Sequence, residues 1–257
     1  MNVVVLLKQT FDTEEKVRVR DDAVDEDGVK FVINPYDEYA VEEAIRLRDA
    51  HSGQVTVVSV GTERCAEALR TALAMGADEA VLIGEPDGAD EAVIAKLLAA
   101  YLRSRPFDLV IAGHFSVDRG SGQVALRVAE LLDLPHAGAI TKLTVDPAPG
   151  GRAVAVRDAE GDDETVELSL PALITAQQGL NEPRYPTLPG IMKAKKKPFS
   201  RLSAADLGLS ENELAPYTQT IGIRLPAPRQ AGRLLGGETP DRVRSLLQAL
   251  REDAKVL

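Results

Sequence analysis

The sequence predicts an α/β fold: a three-layer, doubly wound, mostly parallel sheet with added antiparallel strands and a C-terminal arm. Two patterns carry this prediction. Short apolar runs alternate with helical patterns over residues 1–135, and β-type segments separated by turn signals fill residues 139–176. Regular strand–helix alternation favours parallel strands with helices on both faces of the sheet. The length of 257 residues and the 44% hydrophobic content are sufficient for one large domain with a core.

Four strand–helix pairs fill the first half of the chain. The continuous apolar run VVVLLK, residues 3–8, is typical of a strand buried in a parallel sheet, and we interpret it as a first strand rather than a signal peptide. Helical periodicity follows, as in the spacing of Val41, Ala44 and Ile45. The predicted strands are residues 3–8, 54–60, 79–84 and 108–113, and the predicted helices are residues 37–50, 63–76, 91–104 and 123–132. Ligands of such sheets bind beyond the carboxyl ends of the strands.

The second half of the chain changes character. Strand patterns in residues 139–176 predict an extension of the sheet that is partly antiparallel. The chain then becomes proline-rich and irregular to about residue 200. A short helical turn at residues 202–209 and a late strand at residues 218–226 are predicted to follow.

Residues 227–257 are predicted to form a C-terminal arm, separate from an α/β domain of residues 1–226. Thr239 and Pro240 supply an N-cap and a first helical position. The apolar stripe of this last helix consists of Val243, Leu246, Leu247 and Leu250. Such a stripe needs a surface to pack on, and both its own domain and a partner subunit remain open.

Composition excludes several classes of function. The net charge of -10, the 4% aromatic content and the lack of tryptophan argue against nucleic-acid binding. No run of about 18 apolar residues predicts membrane insertion. A single cysteine, Cys65, allows neither an internal disulfide framework nor a multi-cysteine metal site, and it is interpreted as an ordinary helix cysteine. The predicted compartment is the cytoplasm.

The loop before the fourth helix is the candidate phosphate site. Gly120, Ser121 and Gly122 precede the first helical turn, where free N–H groups and the helix dipole favour an anion. GSGQVA also fits the dinucleotide pattern G-x-G-x-x-A, but the loop from Gly113 to Gly122 is too long for the tight turn of that motif. A glycine-rich helix start without a ligand is the alternative, and both remain open.

Other polar residues give no sign of catalysis. The three histidines stand apart, and none forms a triad with a serine or cysteine; they are His51, His114 and His136. Among them His114 lies in the candidate phosphate loop, within reach of a nucleotide. The acidic pairs Glu42/Glu43 and Asp162/Asp163 are interpreted as solvated charge rather than as acid–base groups. There is no Walker A sequence and no cluster of metal ligands.

Several stretches resemble the beta subunit of electron transfer flavoprotein. The most specific are LNEPRYPTLPGIMKAKKKP, residues 180–198, and AVRDAEGDDETVELSLPALIT, residues 155–175. INPYDEYAVEEAIRL and LRTALAMGADEAVLI also match, and VDRGSGQV lies where the family keeps an I-D-x-D/G-x-x-Q-V/T loop. His114, Phe115 and Ser116 depart from the usual R-Q-A or N-x-A, and Arg119 replaces a more common glycine or aspartate.

The resemblance implies a Rossmann-like, adenine-nucleotide-binding domain that holds AMP and pairs with an alpha subunit carrying the redox-active FAD. By position, Tyr36 would approach the FAD ring, and Asp158 would pair with an arginine of the alpha subunit. The implied nucleotide-binding residues are Leu6, Asn34, Pro35, Tyr36, Asp37, Val60, Gly113, Asp118, Arg119, Gly120, Ser121, Gly122, Gln123 and Val124.

Residues 180–198 resemble the family's recognition loop, which docks on acyl-CoA dehydrogenases and related flavin dehydrogenases. The resemblance implies Leu188 as an apolar anchor stiffened by Pro186 and Pro189, and lysines 193 and 195–197 as groups that steer acidic partners. Without it, a scattered surface leucine and a solvated lysine run would be the first interpretation. The implied partner-binding residues are Tyr185, Pro186, Leu188, Pro189, Ile191, Met192, Lys193 and Lys196.

The predicted function is therefore that of an electron-carrier subunit that does no bond chemistry itself and whose complex passes electrons to a quinone oxidoreductase. The main alternative is a bifurcating flavoprotein, in which a second FAD replaces AMP and NADH is oxidised. A stand-alone nucleotide-sensing domain explains residues 1–135 but not the loop or the arm. An NAD-dependent dehydrogenase requires an acidic residue at the end of the next strand, and residues 135–143 offer none.

Overall fold

A nine-stranded sheet lies at the centre of the computed structural model, which describes residues 1–148, 150–229 and 231–257. The strands are β1 (Asn2–Leu6), β2 (Gln9–Phe11), β3 (Val19–Arg20), β4 (Ala23–Val24), β5 (Phe31–Ile33), β6 (Gln54–Gly61), β7 (Glu79–Gly84), β8 (Leu109–Gly113), β9 (His136–Asp146), β10 (Arg152–Ala159), β11 (Asp162–Ser169), β12 (Ala172–Ala176) and β13 (Phe199–Leu202). The helices are α1 (Pro35–His51), α2 (Ala66–Met75), α3 (Glu91–Arg103), α4 (Gln123–Leu131), α5 (Leu188–Ala194) and α6 (Thr239–Glu252).

The sheet order is β11-β10-β9-β12-β8-β1-β6-β7-β13, with β1 in the middle. In β1, Val5 pairs in parallel with Val57 on one side and with Ile111 on the other. The chain leaves β1 toward β6 and β7, and then returns to β8 on the opposite side of β1. A sheet of this order has its topological switch point at the carboxyl ends of β1 and β8, where ligands bind.

The extension of the sheet confirms the predicted change of strand direction. Strand β12 runs parallel to both β8 and β9, whereas β10 runs antiparallel to β9 and to β11. The predicted α/β class, with a mostly parallel sheet and added antiparallel strands, is confirmed.

Apolar cores lie on both faces of the sheet. Because successive strand residues point to opposite faces, Val3 and Val5 enter the core that contains Ile45 of α1 and Leu73 of α2. Val4 and Leu6 enter the core formed with α3 and α4. Both faces of β1 are therefore buried, which explains why its sequence is a continuous apolar run rather than an alternating one.

Two predictions about the later part of the chain are wrong. The segment predicted to be irregular to about residue 200 contains the helix α5. At its end β13 begins, which pairs in parallel with β7 from Phe199↔Ala80 to Leu202↔Ile83. The strand predicted at residues 218–226 does not form. The edge of β7 is already occupied by β13, and the N–H of Thr218 is bonded to the carboxylate of Asp90 at 3.0 Å.

Contacts divide the chain into two units, residues 1–17 with 25–221 and residues 18–24 with 222–257. The smaller unit contains the hairpin of β3 and β4, the helix α6, and a bond from the N–H of Ile223 to the carbonyl of Asp22 at 2.9 Å. The domain boundary predicted at residue 226 stays a prediction. Among the residues that the structure describes, no helix has both the length and the apolar character that crossing a bilayer requires.

Candidate functional site

A polar network at the switch point is built around the carboxylate of Asp37, in the first turn of α1. Its Oδ2 accepts the backbone N–H of Lys8, just beyond β1, at 2.6 Å. Its Oδ1 accepts the backbone N–H of Gly113, at the end of β8, at 2.9 Å, and the side-chain amide of Asn34 at 3.1 Å. Burial raises the pKa of Asp37 to about 7, although all three hydrogen bonds and the Lys8 ammonium act in the opposite direction.

Asn34 continues this network into the loop after β8. Its side-chain amide nitrogen also donates to the carbonyl of Phe115 at 2.9 Å, and its side-chain oxygen accepts the N–H of Val117 at 3.1 Å. Asn34 is buried, so both ends of its carboxamide act as bridges within the protein. The start of α1 thereby fixes the backbone of residues 113–117.

Lys8 and Asp118 form an ion pair beside this network. The Lys8 ammonium lies 2.7 Å from both carboxylate oxygens of Asp118 and 3.3 Å from the hydroxyl of Ser116. Partial burial would raise the pKa of Asp118, but Lys8, Ser116 and the N–H of Arg119 hold it below the usual value. Asp118 is thus ionised near neutral pH and forms an ion pair with Lys8. The sequence did not single out Lys8.

The helix α4 begins without a side-chain cap. Its N-cap is Gly122, which has a left-handed backbone with φ of 59°, and a Cβ there would lie 3.2 Å from the carbonyl of His114. Gly120 also has a positive φ of 67°, and its N–H closes the loop onto the carbonyl of Ser116 at 2.7 Å. Uncapped N–H groups at a helix start suit an anion such as a phosphate. The side-chain oxygen of Gln123 accepts a hydrogen bond from the guanidinium of Arg127 at 2.9 Å, so this oxygen is bonded within α4.

Three ring-bearing side chains, Tyr36, His114 and Phe115, lie in contact beside this polar network. The rings of Tyr36 and Phe115 are 4.3 Å apart, and His114 meets Phe115 edge-on at 5.5 Å. Partial burial and the nearby Arg157 lower the pKa of His114, so its ring is neutral near pH 7. The structure brings the predicted residues of β1, α1, β8 and the α4 loop to one edge of the sheet.

The segment of residues 180–198, predicted to be a docking loop, carries an exposed apolar surface on the short helix α5. Leu188 is 80% exposed and Tyr185 is 90% exposed, with Ile191 and Met192 beside them on the surface. Thr187 caps the helix by accepting the N–H of Gly190 at 3.2 Å. The other side of α5 packs on α2, where Ala194 is buried and a Cβ on Gly190 would overlap the carbonyl oxygen of Ala74.

Two buried acids of α1 hold the docking loop, which corrects the prediction that Glu42 and Glu43 are solvated. Arg184 grips Glu42 with a two-point fork at 2.7 and 2.9 Å and also donates its backbone N–H at 3.2 Å. The side-chain amide of Asn181 donates to Glu43 at 2.9 Å and to the carbonyl of Tyr39 at 3.0 Å. Both acids are buried because the loop covers them. Asp162 and Asp163 are exposed, as predicted.

The lysine run divides into outward and inward members. Lys193, Lys195 and Lys196 are exposed, whereas the ammonium of Lys197 donates to the carbonyls of Leu73 and Ala77 at 3.0 and 2.5 Å. Burial lowers the pKa of Lys197. Lys197 therefore caps the C-terminal end of α2 and is not free to steer a partner, contrary to the prediction.

Sequence comparisons now assign the family. A family model described as electron transfer flavoprotein domain matches residues 22–207. The chain belongs to the electron transfer flavoprotein family. The beta subunit of electron transfer flavoprotein from Bacillus subtilis (strain 168) is 51% identical over 260 residues, covering 100% of both chains. The beta subunits from Syntrophomonas wolfei and Homo sapiens are 39% and 38% identical, covering 100% and 90% of this chain and 98% and 91% of the relatives.

The predicted resemblance to the electron transfer flavoprotein beta subunit is confirmed over the whole chain. The sequence did not indicate a site role for Lys8, Glu42 or Arg184. Lys8 lies at the loop before α4, and Arg184 and Glu42 hold the segment of residues 180–198. The signal for Arg184 was present in LNEPRYP, as a basic residue in the loop, and Glu42 was the acid on α1 that it meets.

Proposed function

We propose that the chain is the beta subunit of a heterodimeric electron transfer flavoprotein. The complex accepts electrons from acyl-CoA dehydrogenases and related flavin dehydrogenases through FAD held mainly by the alpha subunit. It passes them to the respiratory chain through a quinone oxidoreductase. The beta subunit binds structural AMP, supports the flavin-bearing subunit and presents the docking loop, and it works in the cytoplasm without membrane insertion.

The observation that carries this proposal is the exposed Leu188 on a firmly held helix. Leu188 is 80% exposed, although α5 is capped and packed on α2. The segment before α5 is held by the bond between Arg184 and Glu42 of α1. A pre-ordered apolar residue loses little conformational entropy on binding, so it suits a small and short-lived contact. The exposed Lys193 and Lys196 lie next to it and favour an acidic partner surface.

The residues at the switch point fit an adenylate. The uncapped start of α4, where Gly122 has a left-handed conformation, offers free backbone N–H groups to a phosphate. Tyr36 and Phe115 offer ring surface nearby. AMP supplies no redox chemistry, so its role in this subunit is structural. The residues closest to this proposed phosphate position are Arg119, Gly120, Ser121, Gly122, Gln123 and Val124.

Pairing with an alpha subunit is supported by exposed apolar residues late in the chain. No residue of α6 is buried among the described residues, and Val243, Leu246 and Leu247 of its apolar stripe are about half exposed. Asp158 on β10 is also exposed and available to an arginine of a partner. Apolar stripes of this kind need a covering surface, which we assign to the alpha subunit.

The docking role is tested with Leu188→Ala in the purified heterodimer. We expect the flavin spectrum and subunit pairing to stay unchanged while the second-order rate of electron acceptance from a reduced acyl-CoA dehydrogenase falls about tenfold or more, since a central anchor contributes about 2 kcal/mol. Leu126→Ala, at a partly exposed leucine of α4, is the matched control and should keep the wild-type rate. An unchanged rate in Leu188→Ala would refute the anchor role.

The nucleotide is tested by extraction from the heterodimer. One FAD and one AMP per complex are expected. Two flavins and no AMP would show that the site holds a second FAD, as in a bifurcating flavoprotein, and would contradict the AMP assignment.

A further inference from the structure

The polar atoms of Asp37 and Asn34 are directed at the protein rather than at a ligand. Three hydrogen bonds converge on the Asp37 carboxylate, from the N–H groups of Lys8 and Gly113 and from the amide of Asn34. We call these four residues the buckle. It ties together the end of β1, the end of β8 and the start of α1, and Asn34 extends it to the loop that precedes α4.

We propose that Asp37 is a positioning residue, which sets the conformation of the nucleotide loop through the buckle instead of touching the nucleotide. This inference rests on the proposed nucleotide site and deepens it. The buckle fixes Gly113 directly and residues 115–117 through Asn34. It therefore determines the positions of Gly120 and Gly122 further along the loop. Lys8 is also held by the buckle through its backbone, and its ammonium binds Asp118 on the same loop.

The buckle needs a carboxylate. Oδ1 accepts two donors and Oδ2 accepts one, and hydrogen bonds to an ionised acceptor in a buried site are stronger than neutral ones. An asparagine at position 37 would keep the shape. In either orientation its NH₂ group would face at least one of these N–H donors, so at least one bond would become a repulsive contact.

The space around the carboxylate allows no adjustment. A Cβ on Gly113 would overlap Oδ1 of Asp37 and lie 2.7 Å from Cβ of Tyr36. A longer acid at position 37 therefore has no room to restore the three bonds. The absence of a side chain at Gly113 is what lets β8 approach α1 closely enough to form the buckle.

Burial of the Asp37 carboxylate makes the stability of the buckle depend on pH. The raised pKa of about 7 means that Asp37 gains a proton in the folded protein as the pH falls from 8 to 6, while an unfolded aspartate stays ionised. The folded state then binds more protons, so the contribution of this group to stability rises in acid and falls as the pH rises through 7. The variants are therefore compared at pH 8, where Asp37 is ionised. The charged and titratable groups around the buckle are Lys8 after β1, Glu38 on α1, and His114 and Asp118 after β8.

The first test compares Asp37→Asn with Asp108→Ala in the purified heterodimer. Asp108 accepts the N–H of Asn2 at 2.6 Å and so joins the same two strands, β1 and β8. This bond lies at the amino ends of the strands, whereas the buckle lies at their carboxyl ends. We expect Asp37→Asn to release bound AMP at least about tenfold faster than wild type, the change that loss of one charged hydrogen bond implies. The Asp108→Ala variant should release AMP at the wild-type rate. Equal release rates in the two variants would overturn the inference.

The second test is amide hydrogen exchange at pH 8, which does not depend on AMP. In wild type, the amides of Lys8 and Gly113 should be protected, as is the ladder amide of Leu7, bonded to Val58 at 2.8 Å. In Asp37→Asn the protection factors at Lys8 and Gly113 should be severalfold lower, while that of Leu7 is unchanged and shows that the variant is folded. Equal protection at Lys8 and Gly113 in wild type and Asp37→Asn would contradict the buckle. A wild-type complex without AMP would instead refute the proposed nucleotide and leave the buckle to be judged by exchange.

Discussion

The fork between Arg184 and Glu42 is expected to contribute far more to stability than a fork of the same geometry on the surface. Arg184 donates from Nε and Nη2 to the two oxygens of Glu42 at 2.7 and 2.9 Å, and the Glu42 side chain is only 7% exposed. Arg201 grips Glu63 in the same way at 2.9 and 2.5 Å, but these side chains are 51% and 67% exposed. Burial of the acid is the main difference between the two pairs.

Replacing Arg184 with alanine leaves Glu42 with the backbone N–H of residue 184, at 3.2 Å, as its remaining partner from the loop. Removing one partner of a fully buried pair costs about 3–5 kcal/mol. Because the Arg184 side chain is 41% exposed, water partly replaces its bonds, and we expect a loss of about 2 kcal/mol in the free energy of unfolding. Arg201→Ala should change it by no more than the error of the fit, since exposed pairs are screened.

The assay is urea unfolding of the heterodimer, followed by circular dichroism at one protein concentration for all variants. Amide exchange in residues 180–187 reports the same loss locally, and electron acceptance from the dehydrogenase should slow as Leu188 loses its fixed position. Equal destabilisation by Arg184→Ala and Arg201→Ala would show that burial of Glu42 does not decide the strength of the fork, and would refute this reasoning.

Two further substitutions probe the frame of the site. Asp90→Ala removes the cap of α3 and the bonds from Tyr217 and Thr218, so it should cost about 1–2 kcal/mol and speed proteolysis near residue 217. Burial acts to raise the pKa of Asp90, but its hydrogen bonds outweigh this and hold the pKa below its usual value. The contribution of Asp90 to stability is therefore present above about pH 4 and lost as the pH falls through the lowered pKa, which acid titration of wild type and variant checks. Gly113→Ala should abolish AMP retention and lower Tm, because the new methyl overlaps Asp37. AMP content and calorimetry measure this, and full retention would contradict the close approach of β8 to α1.

Local patterns were sufficient to predict the alternating half of the fold. The run of Val3, Val4 and Val5 indicates a strand buried on both faces, and the structure places these residues in both cores. The edge strand β13 was missed because FSRL is four residues long and follows a proline-rich, basic segment. Only its partner β7, more than a hundred residues earlier in the chain, makes it a strand.

The environment of Glu42 and Glu43 shows why the site was harder to predict than the fold. On a helix these two acids lie beside the buried Val41 and Ala44, and their charge favours the solvated interpretation. Their burial depends on a loop about 140 residues later, whose arginine and asparagine arrive from a different part of the fold. The local sequence shows that Glu42 and Glu43 are charged, but it does not show which distant residues they bond.

Both candidate surfaces are fastened to the same helix, and this explains the buried charges that α1 carries. Asp37 in its first turn bonds the loop that follows β8. Glu42 and Glu43, about 7.5 and 9 Å further along the axis at about 1.5 Å per residue, bond the segment of residues 180–198. Buried ionic groups contribute little net stability compared with apolar residues, but they accept only specific partners in specific geometries. On the same helix, Val41 and Ala44 are fully buried in a close-packed core, so the helix cannot shift freely. The proposed function requires that Leu188 and the proposed nucleotide loop keep fixed positions, and such a frame serves this better than the stability that apolar residues would add.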